Sequence, residues 1–391
     1  MKRLAVFLLF SSSLLSAESF SSFIRRLNEL PDDKRFSAAE NFVIQTPSFP
    51  IIEQDSLVHF VYFGTAASVA VNGNLQRWVQ ADTLTKINCG KASLFYRSYR
   101  LPVNARLDYQ FVVDGTYVLD PFNKYTTPSG FGTHSELRMP KFISNGYFEV
   151  RDSVPRGKIL TVQLMKNIPP VLQHYMPLSG KVVKVYLPPG YDTLSSLPSV
   201  YIQDGDDAIE YAHIPAVIDN LLYDRKIKPI IAVFISPGMR EQEYLGAARD
   251  FYTSTICDKF VPLIDEAFKT DRSPRQRAVM GISAGAHISL YIAFSRPDIF
   301  QNVAGQSSTI TPQLTELTVK KAAKGLLAPP MKIYLDCGRY DIVNFPELNR
   351  RYSDLLSAYH VPHYYKEVND GHEWGSWRER MPEIFLYFFR K

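Results

Sequence analysis

The feature that most constrains this chain is a glycine-flanked serine at the junction of a strand and a helix. The motif Gly281-Ile282-Ser283-Ala284-Gly285 follows an apolar strand-like run, Ala278 to Met280, and precedes a stretch with helical periodicity. Glycines on both sides let the chain turn sharply without a steric clash, so that the serine hydroxyl projects above the sheet. A random chain of this length shows the five-residue pattern roughly once in ten tries. The strand before it and the helix after it make the signal specific.

The second half of the chain has the organisation that this motif requires. From Pro155 to Lys391, short apolar runs alternate with amphipathic helical runs, which predicts βαβ units and a mostly parallel sheet. The predicted strands are Val182–Leu187, Ser199–Gln203, Ile230–Ile235, Ala278–Ile282, Val303–Gly305 and Lys332–Asp336, and the clearest predicted helices are Ala208–Tyr223, Phe251–Phe268, Ala284–Phe294 and Glu347–Tyr359. We therefore predict an α/β-hydrolase domain at residues 155–391, with helices flanking the sheet.

The first half of the chain has a different pattern. Between Ser56 and Arg138, short alternating apolar runs are separated by turn residues, and Asn72-Gly73 and Asp114-Gly115 are strong tight-turn signals. This pattern predicts an all-β sandwich over residues 40–150. A length of 391 residues is sufficient for two such domains, each with its own core.

The beginning of the sequence and the charge distribution bear on where the protein acts. Lys2 and Arg3 precede the apolar stretch Leu4 to Leu15, which ends at Ser16 and Ala17, so residues 1–17 are predicted to be a signal peptide. No later apolar segment is long enough to span a membrane. We expect an exported protein, periplasmic or extracellular. The net charge of +5 is scattered along the chain, which gives no support to nucleic-acid binding.

Three cysteines, Cys89, Cys257 and Cys337, are widely separated in the sequence. They are too few and too far apart for a disulfide scaffold. Cys337 follows a predicted buried strand, and we interpret it as a small core residue.

The serine motif requires a base and an acid later in the chain. A serine hydroxyl becomes a good nucleophile only when a base removes its proton, and the order in α/β-hydrolases is serine, acid, histidine. His372 follows the strand-like run Tyr364–Val368 and is the predicted base. Asp341 lies beyond the predicted strand that ends at Asp336, and it is the predicted acid, with Asp336 itself as the alternative.

Two N–H donors should stabilise the oxyanion of a tetrahedral intermediate. The amide of Ala284, directly after the serine, is one of them. The loop Asp204-Gly205-Asp206-Asp207 is expected to supply the other, and Asp206 is the preferred donor. The three carboxylates of this loop could also hold a metal ion, but aspartates beside a glycine are more common in turns, and we predict no metal.

The segment from Gly180 to Trp377 resembles an esterase family that includes enterochelin esterases and feruloyl esterases. The carriers of the resemblance are Tyr186-Leu187-Pro188-Pro189-Gly190-Tyr191, Asp204-Gly205-Asp206, Arg240-Glu241-Gln242-Glu243-Tyr244, the serine motif and Gly371-His372-Glu373-Trp374. The resemblance implies a serine hydrolase that acts on carboxylic esters without a cofactor, with Ser283, Asp341 and His372 at the triad positions. One position departs from the family pattern, because Gly285 is followed by Ala286 where many relatives have a second glycine.

Candidate substrate-binding residues are Arg240, Glu243 and Trp374. The first two lie just after the predicted strand Ile230–Ile235, at the edge where ligands of open α/β sheets bind. Arg240 could clamp an anionic group of the substrate. Alternatively, Arg240 and Glu243 pair with each other and brace the loop.

The first domain is similar to glycogen-binding carbohydrate modules and to the early-set, immunoglobulin-like sandwiches that precede some amylases and esterases. The carriers are Ala70 to Trp78 and Asp120-Pro121-Phe122-Asn123. Trp78 could stack on a sugar ring, or it could belong to the core or to an interface. We expect this domain to take part in substrate use without contributing chemistry, so that the second domain alone should retain activity on a small ester.

These features together predict hydrolysis of a carboxylic ester through an acyl-serine intermediate. The expected partner is a small-molecule or glycan ester, either an acylated polysaccharide carrying feruloyl or acetyl groups or a siderophore ester. Two alternatives remain open, since fold does not determine chemistry. One is acyl transfer on the same fold, and the other is a catalytically silent protein that binds carbohydrate or siderophore.

Overall fold

The computed structural model describes residues 18–130, 132–163 and 182–391. The predicted signal peptide at residues 1–17 and the loose connection at residues 168–178 lie outside these ranges. Among the described residues, no helix is both long enough and apolar enough to cross a membrane.

Two helices precede the β-strands of the first domain. Helix α1 (Phe20–Glu29) and helix α2 (Asp32–Gln45) pack against the first sheet. Phe20, Phe23, Ile24 and Leu27 of α1 are all buried, at the spacing that places them on one face of a helix. The predicted boundary at residue 40 is therefore misplaced, because it separates these helices from the sheet that they cover.

The first domain consists of two β-sheets packed face to face. The first sheet has the order β1-β2-β6-β5, and the second has the order β4-β3-β7-β10-β9, with β8 paired to β7. Its strands are β1 Ile51–Glu53, β2 Leu57–Gly64, β3 Val69–Gly73, β4 Asp82–Thr83, β5 Thr85–Asn88, β6 Ser93–Arg100, β7 Arg106–Val113, β8 Thr116–Val118, β9 Thr126–Ser129 and β10 Gly132–Arg138. Phe60 and Phe95 of the first sheet meet Val71 and Phe111 of the second in a shared core. The predicted all-β architecture is confirmed.

The second domain is built on an eight-stranded sheet with the order β11-β12-β14-β13-β15-β16-β17-β18. The pairings from β11 to β14 are antiparallel, and all those from β14 to β18 are parallel. Its strands are β11 Lys158–Gln163, β12 Val182–Leu187, β13 Ser199–Gln203, β14 Ile231–Ile235, β15 Arg277–Ile282, β16 Asn302–Gln306, β17 Lys332–Tyr340 and β18 Tyr364–Gly371. This mostly parallel sheet confirms the predicted fold class.

Helices cover both faces of this sheet. In the part of the chain that the structure describes, these helices are α3 Gly205–Glu210, α4 Ile214–Tyr223, α5 Arg240–Tyr244, α6 Arg249–Thr255, α7 Val261–Ala267, α8 Ala284–Ser295, α9 Pro312–Ala322, α10 Phe345–Ala358, α11 Trp374–Arg378 and α12 Met381–Phe389. Alternate residues of one strand enter different cores: Tyr201 lies in the core on one face, and Val200 and Ile202 lie in the core on the other.

Two predicted helices are interrupted. The stretch Ala208–Tyr223 is divided between α3 and α4, because His213 before α4 has a left-handed backbone with φ of 51°. The stretch Phe251–Phe268 contains a π-helical turn, Ile256–Phe260, between α6 and α7.

The parallel strands bring four loops to one edge of the sheet. β13, β15, β17 and β18 run in the same direction, so the segments after their carboxyl ends lie side by side. Asp204, Ser283, Asp341 and His372 each follow one of these strands directly. The topology thus places the predicted nucleophile, acid and base at one edge.

All three cysteines are buried and none forms a disulfide. Burial raises the pKa of the Cys337 thiol well above its usual range, and the neighbouring charge of Asp341 adds to this effect. The interpretation of Cys337 as a core residue agrees with its position in β17.

Candidate active site

Ser283 occupies a sharp turn between β15 and α8. Its φ of 56° and ψ of −119° lie in a region that side-chain-bearing residues rarely adopt. Its backbone N–H donates to the Gln306 carbonyl at 2.9 Å, and its carbonyl accepts from the Thr309 amide at 3.1 Å. The loop after β16 therefore holds the turn in this strained conformation.

Both glycines of the serine motif are required by close packing. A Cβ atom at Gly281 would overlap the backbone carbonyl of Gly285, and one at Gly285 would lie 2.7 Å from Oδ2 of Asp204. Neither glycine has a positive φ. The motif therefore needs glycine because the turn folds back on itself and against the Asp204 loop.

Ser283, His372 and Asp341 form a continuous chain of hydrogen bonds. His372 Nε2 lies 3.1 Å from Ser283 Oγ, and His372 Nδ1 lies 2.5 Å from Asp341 Oδ1. The imidazole is held edge-on by two aromatic rings, those of Trp377 at 4.7 Å and Phe345 at 5.2 Å between ring centroids. Position and orientation are those of a nucleophile, a base and an orienting acid.

The environment of Asp341 keeps it ionised. Asp341 is fully buried, which by itself would raise its pKa, but the charge and hydrogen bond of His372 and further hydrogen bonds lower the pKa below its usual range. The Ile342 amide donates to Oδ1 at 2.8 Å, and the Ser307 hydroxyl contributes another hydrogen bond. A buried carboxylate with these donors is suited to orient and stabilise an imidazolium.

Asp336, the alternative acid, has other partners. It lies within β17 and is fully buried, 3.0 Å from Arg380 Nε and 3.2 Å from the Gln306 side-chain amide. Arg380 also pairs with Asp370. The structure therefore brings Asp341, and not Asp336, to the imidazole.

His287, on the first turns of α8, does not face the serine hydroxyl. Its Nδ1 lies 2.9 Å from the Thr309 carbonyl, and burial lowers the pKa of this histidine to about 4. It forms a local hydrogen bond that ties α8 to the loop after β16, and it stays neutral at pH 7.

The structure separates the two predicted oxyanion donors. Ala284 is the first residue of α8, so its N–H has no acceptor within the helix and lies beside the nucleophile. The Asp206 prediction is wrong for this structure. The amide of Asp206 donates to Ser236 Oγ at 3.0 Å. Ser236 follows β14, which lies on the opposite side of β13 from β15, the strand that leads to Ser283. The Asp206 carboxylate is held on the same side by Lys184 at 2.6 Å. Asp207, the next residue, lines the cavity at the serine.

Arg240 and Glu243 do not pair with each other. Arg240 makes a two-pronged ion pair with Asp204, with Nε to Oδ1 and Nη2 to Oδ2 both at 2.8 Å. Glu243 is buried, and its carboxylate accepts the amides of Gly238 at 3.0 Å and Met239 at 3.2 Å. The substrate-binding prediction for Glu243 is wrong, because these contacts make it a brace for its own loop. Arg240, which is about two-fifths exposed, does line the cavity.

A cavity of about 590 Å³ opens at Ser283 and His372. Aromatic side chains dominate its wall: Trp374 and Trp377 come from α11, and Trp78 comes from the first domain. The rings of Trp374 and Trp377 are perpendicular at 5.5 Å. Trp374, a predicted substrate-binding residue, thus lines the cavity at the serine, and its role stays a prediction.

A cluster of buried ionisable groups lies at the boundary of the two domains, and two of its members, His134 and Glu373, line the cavity. Asp108, His134 and Glu373 have ligand atoms within 4.8 Å of one another, the geometry that a metal ion would need. Arg106 Nη1, however, lies 2.8 Å from Asp108 Oδ1. Burial, together with the charge of Asp108, raises the pKa of Glu373 well above its usual range. Arg106 therefore already supplies a positive charge to this cluster.

Sequence reasoning missed the cavity residues His134 and Glu373. Glu373 belongs to the Gly371-His372-Glu373-Trp374 motif, so adjacency to the predicted base was a usable signal. His134 gives no local signal, since it lies in β10 of the first domain and meets the second domain at Glu373, with 3.8 Å between its Nδ1 and Glu373 Oε2.

Comparison with protein families identifies the second domain. Residues 180–388, which are 209 of the 391 residues, match the family model described as "Putative esterase". The chain belongs to this esterase family. The match contains β12 through β18, and with them all three residues of the hydrogen-bonded chain.

Individual relatives are more distant. The chain is 27% identical over 140 residues to "Uncharacterized protein YbbA" of Bacillus subtilis, covering 32% of this chain and 55% of that protein. It is 25% identical over 299 residues to the "Endo-1,4-beta-xylanase/feruloyl esterase" of Xylanibacter ruminicola, covering 72% of this chain and 38% of that protein. The chain thus spans about half or less of the length of these two relatives.

The fold of both domains recurs in a solved structure. The ferric enterobactin esterase of Salmonella typhimurium superposes with a TM-score of 0.70, over 89% of this chain and 98% of that one. Sequence identity is 16%, so the likeness shows the fold.

Proposed function

We propose that this protein is an exported serine esterase that hydrolyses carboxylic esters through an acyl-serine intermediate. The observation that carries the proposal is the chain of hydrogen bonds from Ser283 through His372 to Asp341, located at the mouth of an aromatic cavity. Membership of the esterase family supports the reaction type.

The first half-reaction acylates the serine. As Ser283 Oγ attacks the ester carbonyl carbon, His372 Nε2 takes the hydroxyl proton, and Asp341 stabilises the imidazolium that forms. The carbonyl oxygen becomes an oxyanion, and the Ala284 amide donates to it. When the intermediate collapses, the bond to the alcohol breaks, and the departing alkoxide takes the proton from Nε2.

The second half-reaction releases the acid. Water attacks the acyl carbon while His372 Nε2 accepts one of its protons, and a second tetrahedral intermediate forms at the same N–H donor. Its collapse breaks the bond to Ser283 Oγ, which recovers the proton from Nε2. The products are a carboxylic acid and the free enzyme, and no cofactor is consumed.

The cavity favours esters that carry an aromatic ring. Trp78, Trp374 and Trp377 can cover the faces and edges of a planar group of phenolic size, and Arg240 and Asp207 supply the charged part of the wall. Two substrate classes fit this description: feruloyl esters on a polysaccharide, and siderophore esters with aromatic acyl groups. The names of the two characterised relatives, a xylanase/feruloyl esterase and a ferric enterobactin esterase, support these classes equally.

The proposal of export rests on the first 17 residues. Their basic start, apolar middle and small residues at the end have the signal-peptide pattern. Secretion of the full-length chain by a bacterial host, with a mature protein that begins at residue 18, would support export. A cell-retained protein with an intact first segment would contradict it.

The experiment that tests the activity compares the wild type with Ser283→Ala on a panel of acetyl, feruloyl and catechol-type esters. We expect turnover by the wild type and none by the variant, with equal melting temperatures, because removing one hydroxyl at a surface turn leaves no core cavity. A fluorophosphonate should label the wild type at Ser283. Background turnover by folded wild-type protein, or labelling at another serine, would contradict the proposal.

A further inference from the structure

The first domain contacts both loops that carry the acid and the base. The contacts come from the segment Asn74 to Trp78, between β3 and β4, and from β7. Arg77 and Trp78, in that segment, have positive φ values of 54° and 59°. Non-glycine residues rarely adopt positive φ values, so the surrounding structure must hold these two in place. In this conformation the side chains of Arg77 and Trp78 reach the second domain.

Arg77 is bound to the loop of the acid. Its Nη1 donates to the carbonyl of Asp341 at 3.1 Å, and its Nη2 donates to the carbonyl of Arg339 at 3.4 Å. Both acceptors lie at the end of β17, where the chain leaves the sheet. One guanidinium of the first domain therefore fixes the backbone from which the Asp341 carboxylate extends.

The loop of the base is clamped on both sides of His372. A Cβ atom at Gly371 would overlap the side-chain amide of Asn74, and one at Gly375 would overlap the guanidinium of Arg106. Neither glycine has a positive φ, so it is this close approach that requires glycine. The first domain therefore occupies the space that side chains at 371 and 375 would take.

The two clamping residues are themselves rigid. Asn74 is fully buried, and its Oδ1 accepts the Asp108 amide at 2.7 Å. Arg106 is 1% exposed and ion-paired to Asp108 and Glu136, and its Nη1 donates to Ser376 Oγ in α11 at 3.1 Å. For Arg106, displacement would leave buried charges without a partner, which favours this one geometry.

We infer that the first domain positions the acid and the base of the site, with Arg77 holding the Asp341 loop and Asn74 and Arg106 clamping the His372 loop. The inference rests on the proposed serine-esterase function. These are positioning residues: they act on the reaction through Asp341 and His372, and they touch neither the serine nor the scissile bond. Misplacement of a reacting group by about 1 Å can cost on the order of a hundredfold in rate.

The first test replaces Arg77 in the full chain. Arg77→Met removes the donors but keeps the apolar stem, and we expect kcat on p-nitrophenyl acetate to fall ten- to a hundredfold with KM changed less than twofold. The rate of fluorophosphonate labelling at Ser283 should fall in parallel. Arg77→Lys, which retains one donor, should recover part of kcat. The control is Arg97→Met, an exposed arginine of the same domain whose side chain donates to Thr83 within that domain; it should behave as the wild type.

The second test uses the contact between Gly371 and Asn74. Gly371→Ala should lower kcat at least tenfold, because the new methyl group displaces the loop of His372. Combining it with Asn74→Ala removes the overlapping amide, so that the new methyl group takes its place against the loop, and part of the loss relative to Gly371→Ala alone should be recovered. A structural role unrelated to the site would lower the melting temperature of the single variant without this recovery of kcat.

The outcomes separate the inference from the function on which it rests. An inactive, folded wild type would contradict the proposed esterase activity. An active wild type with unchanged kcat in Arg77→Met and in Gly371→Ala would overturn the positioning role and leave the activity in place. A rise in KM alone would assign these residues to substrate binding, which also overturns the inference.

Discussion

Replacing Asp341 by asparagine tests the acid of the hydrogen-bonded chain with almost no change in shape. The carboxylate Oδ1 receives two donors, His372 Nδ1 at 2.5 Å and the Ile342 amide at 2.8 Å. An asparagine side chain has an oxygen that accepts and an N–H₂ group that donates, so either the oxygen or the nitrogen can occupy this position. The two orientations have different kinetic consequences.

The Ile342 amide decides the orientation. If the asparagine N–H₂ faced His372, it would also face the Ile342 N–H, and two donors would be opposed in a buried site. We therefore expect the amide oxygen to take the Oδ1 position and to preserve the tautomer in which Nε2 is the base. What is lost is the negative charge beside the imidazolium. A hydrogen bond to a charged group contributes about 1.5–3 kcal/mol, so loss of the charge should lower kcat by roughly 10- to 150-fold.

The assay is steady-state hydrolysis of p-nitrophenyl acetate as a function of pH, with the melting temperature as a check on folding. The matched control is Asp336→Asn, at a carboxylate that is equally buried but bound to Arg380. We expect this variant to melt earlier and to retain kcat within about threefold, because Asp336 does not contact the imidazole. A loss near ten-thousandfold in Asp341→Asn would show that the amide nitrogen faces His372. A smaller loss in Asp341→Asn than in Asp336→Asn would refute the assignment of the acid.

Two further predictions concern stability. Burial raises the pKa of Asp120 from 3.8 to about 6 in spite of a hydrogen bond from Tyr109, so its contribution to stability is full below about pH 4 and is lost as the pH rises through 6. This corresponds to a loss of about 3 kcal/mol in the free energy of unfolding. In Asp120→Asn, the free energy of unfolding measured with urea should vary less between pH 4 and 7 than in the wild type. An equal variation in the two proteins would contradict this. In Glu243→Gln, the side-chain N–H₂ group must face the backbone N–H of Gly238 or Met239, so that two donors meet. We therefore expect the free energy of unfolding, measured by thermal unfolding, to fall by about 1–3 kcal/mol, with KM unchanged. A raised KM at wild-type stability would return Glu243 to a substrate-binding role.

The parts of the fold that sequence reasoning predicted well are those with strong local patterns. β12 and β13 have the predicted bounds, Val182–Leu187 and Ser199–Gln203. β13 is fully buried and parallel to both of its neighbours, and strands of this kind are largely apolar runs. The serine turn was predictable for a similar reason, since its glycines, strand and helix are adjacent in sequence. β17 is longer than predicted, and it ends at Tyr340 because pairing with β18 continues past Asp336.

Some errors arise from contacts distant in sequence and others from local contacts. The amide of Asp206 is turned away from the nucleophile by Ser236, which follows a different strand. Glu243 was expected at the ligand-binding edge, but its carboxylate satisfies two amides of its own loop. Helix α1 has an amphipathic pattern in the sequence, with Phe20, Phe23, Ile24 and Leu27 on one face, that was a usable signal.

The least predictable part of the site is the contribution of the first domain. Nothing in the sequence near Arg77 or Asn74 indicates that they meet the loops of Asp341 and His372, hundreds of residues away. Only the docking of the two domains creates these contacts. The sequence analysis expects the second domain alone to retain activity on a small ester. Because that domain alone would lack these clamps, its kcat should fall even on such a substrate.

The three buried, unpaired thiols have a practical consequence for studying the domain boundary. Since Cys89, Cys257 and Cys337 are each at most 1% exposed, a maleimide would find no accessible sulfur on the native protein. A cysteine introduced at an exposed position, such as Lys124 in the first domain or Lys320 in the second, would therefore be labelled alone. A pair of such sites would report the distance between the domains by fluorescence or spin resonance without first removing any native cysteine.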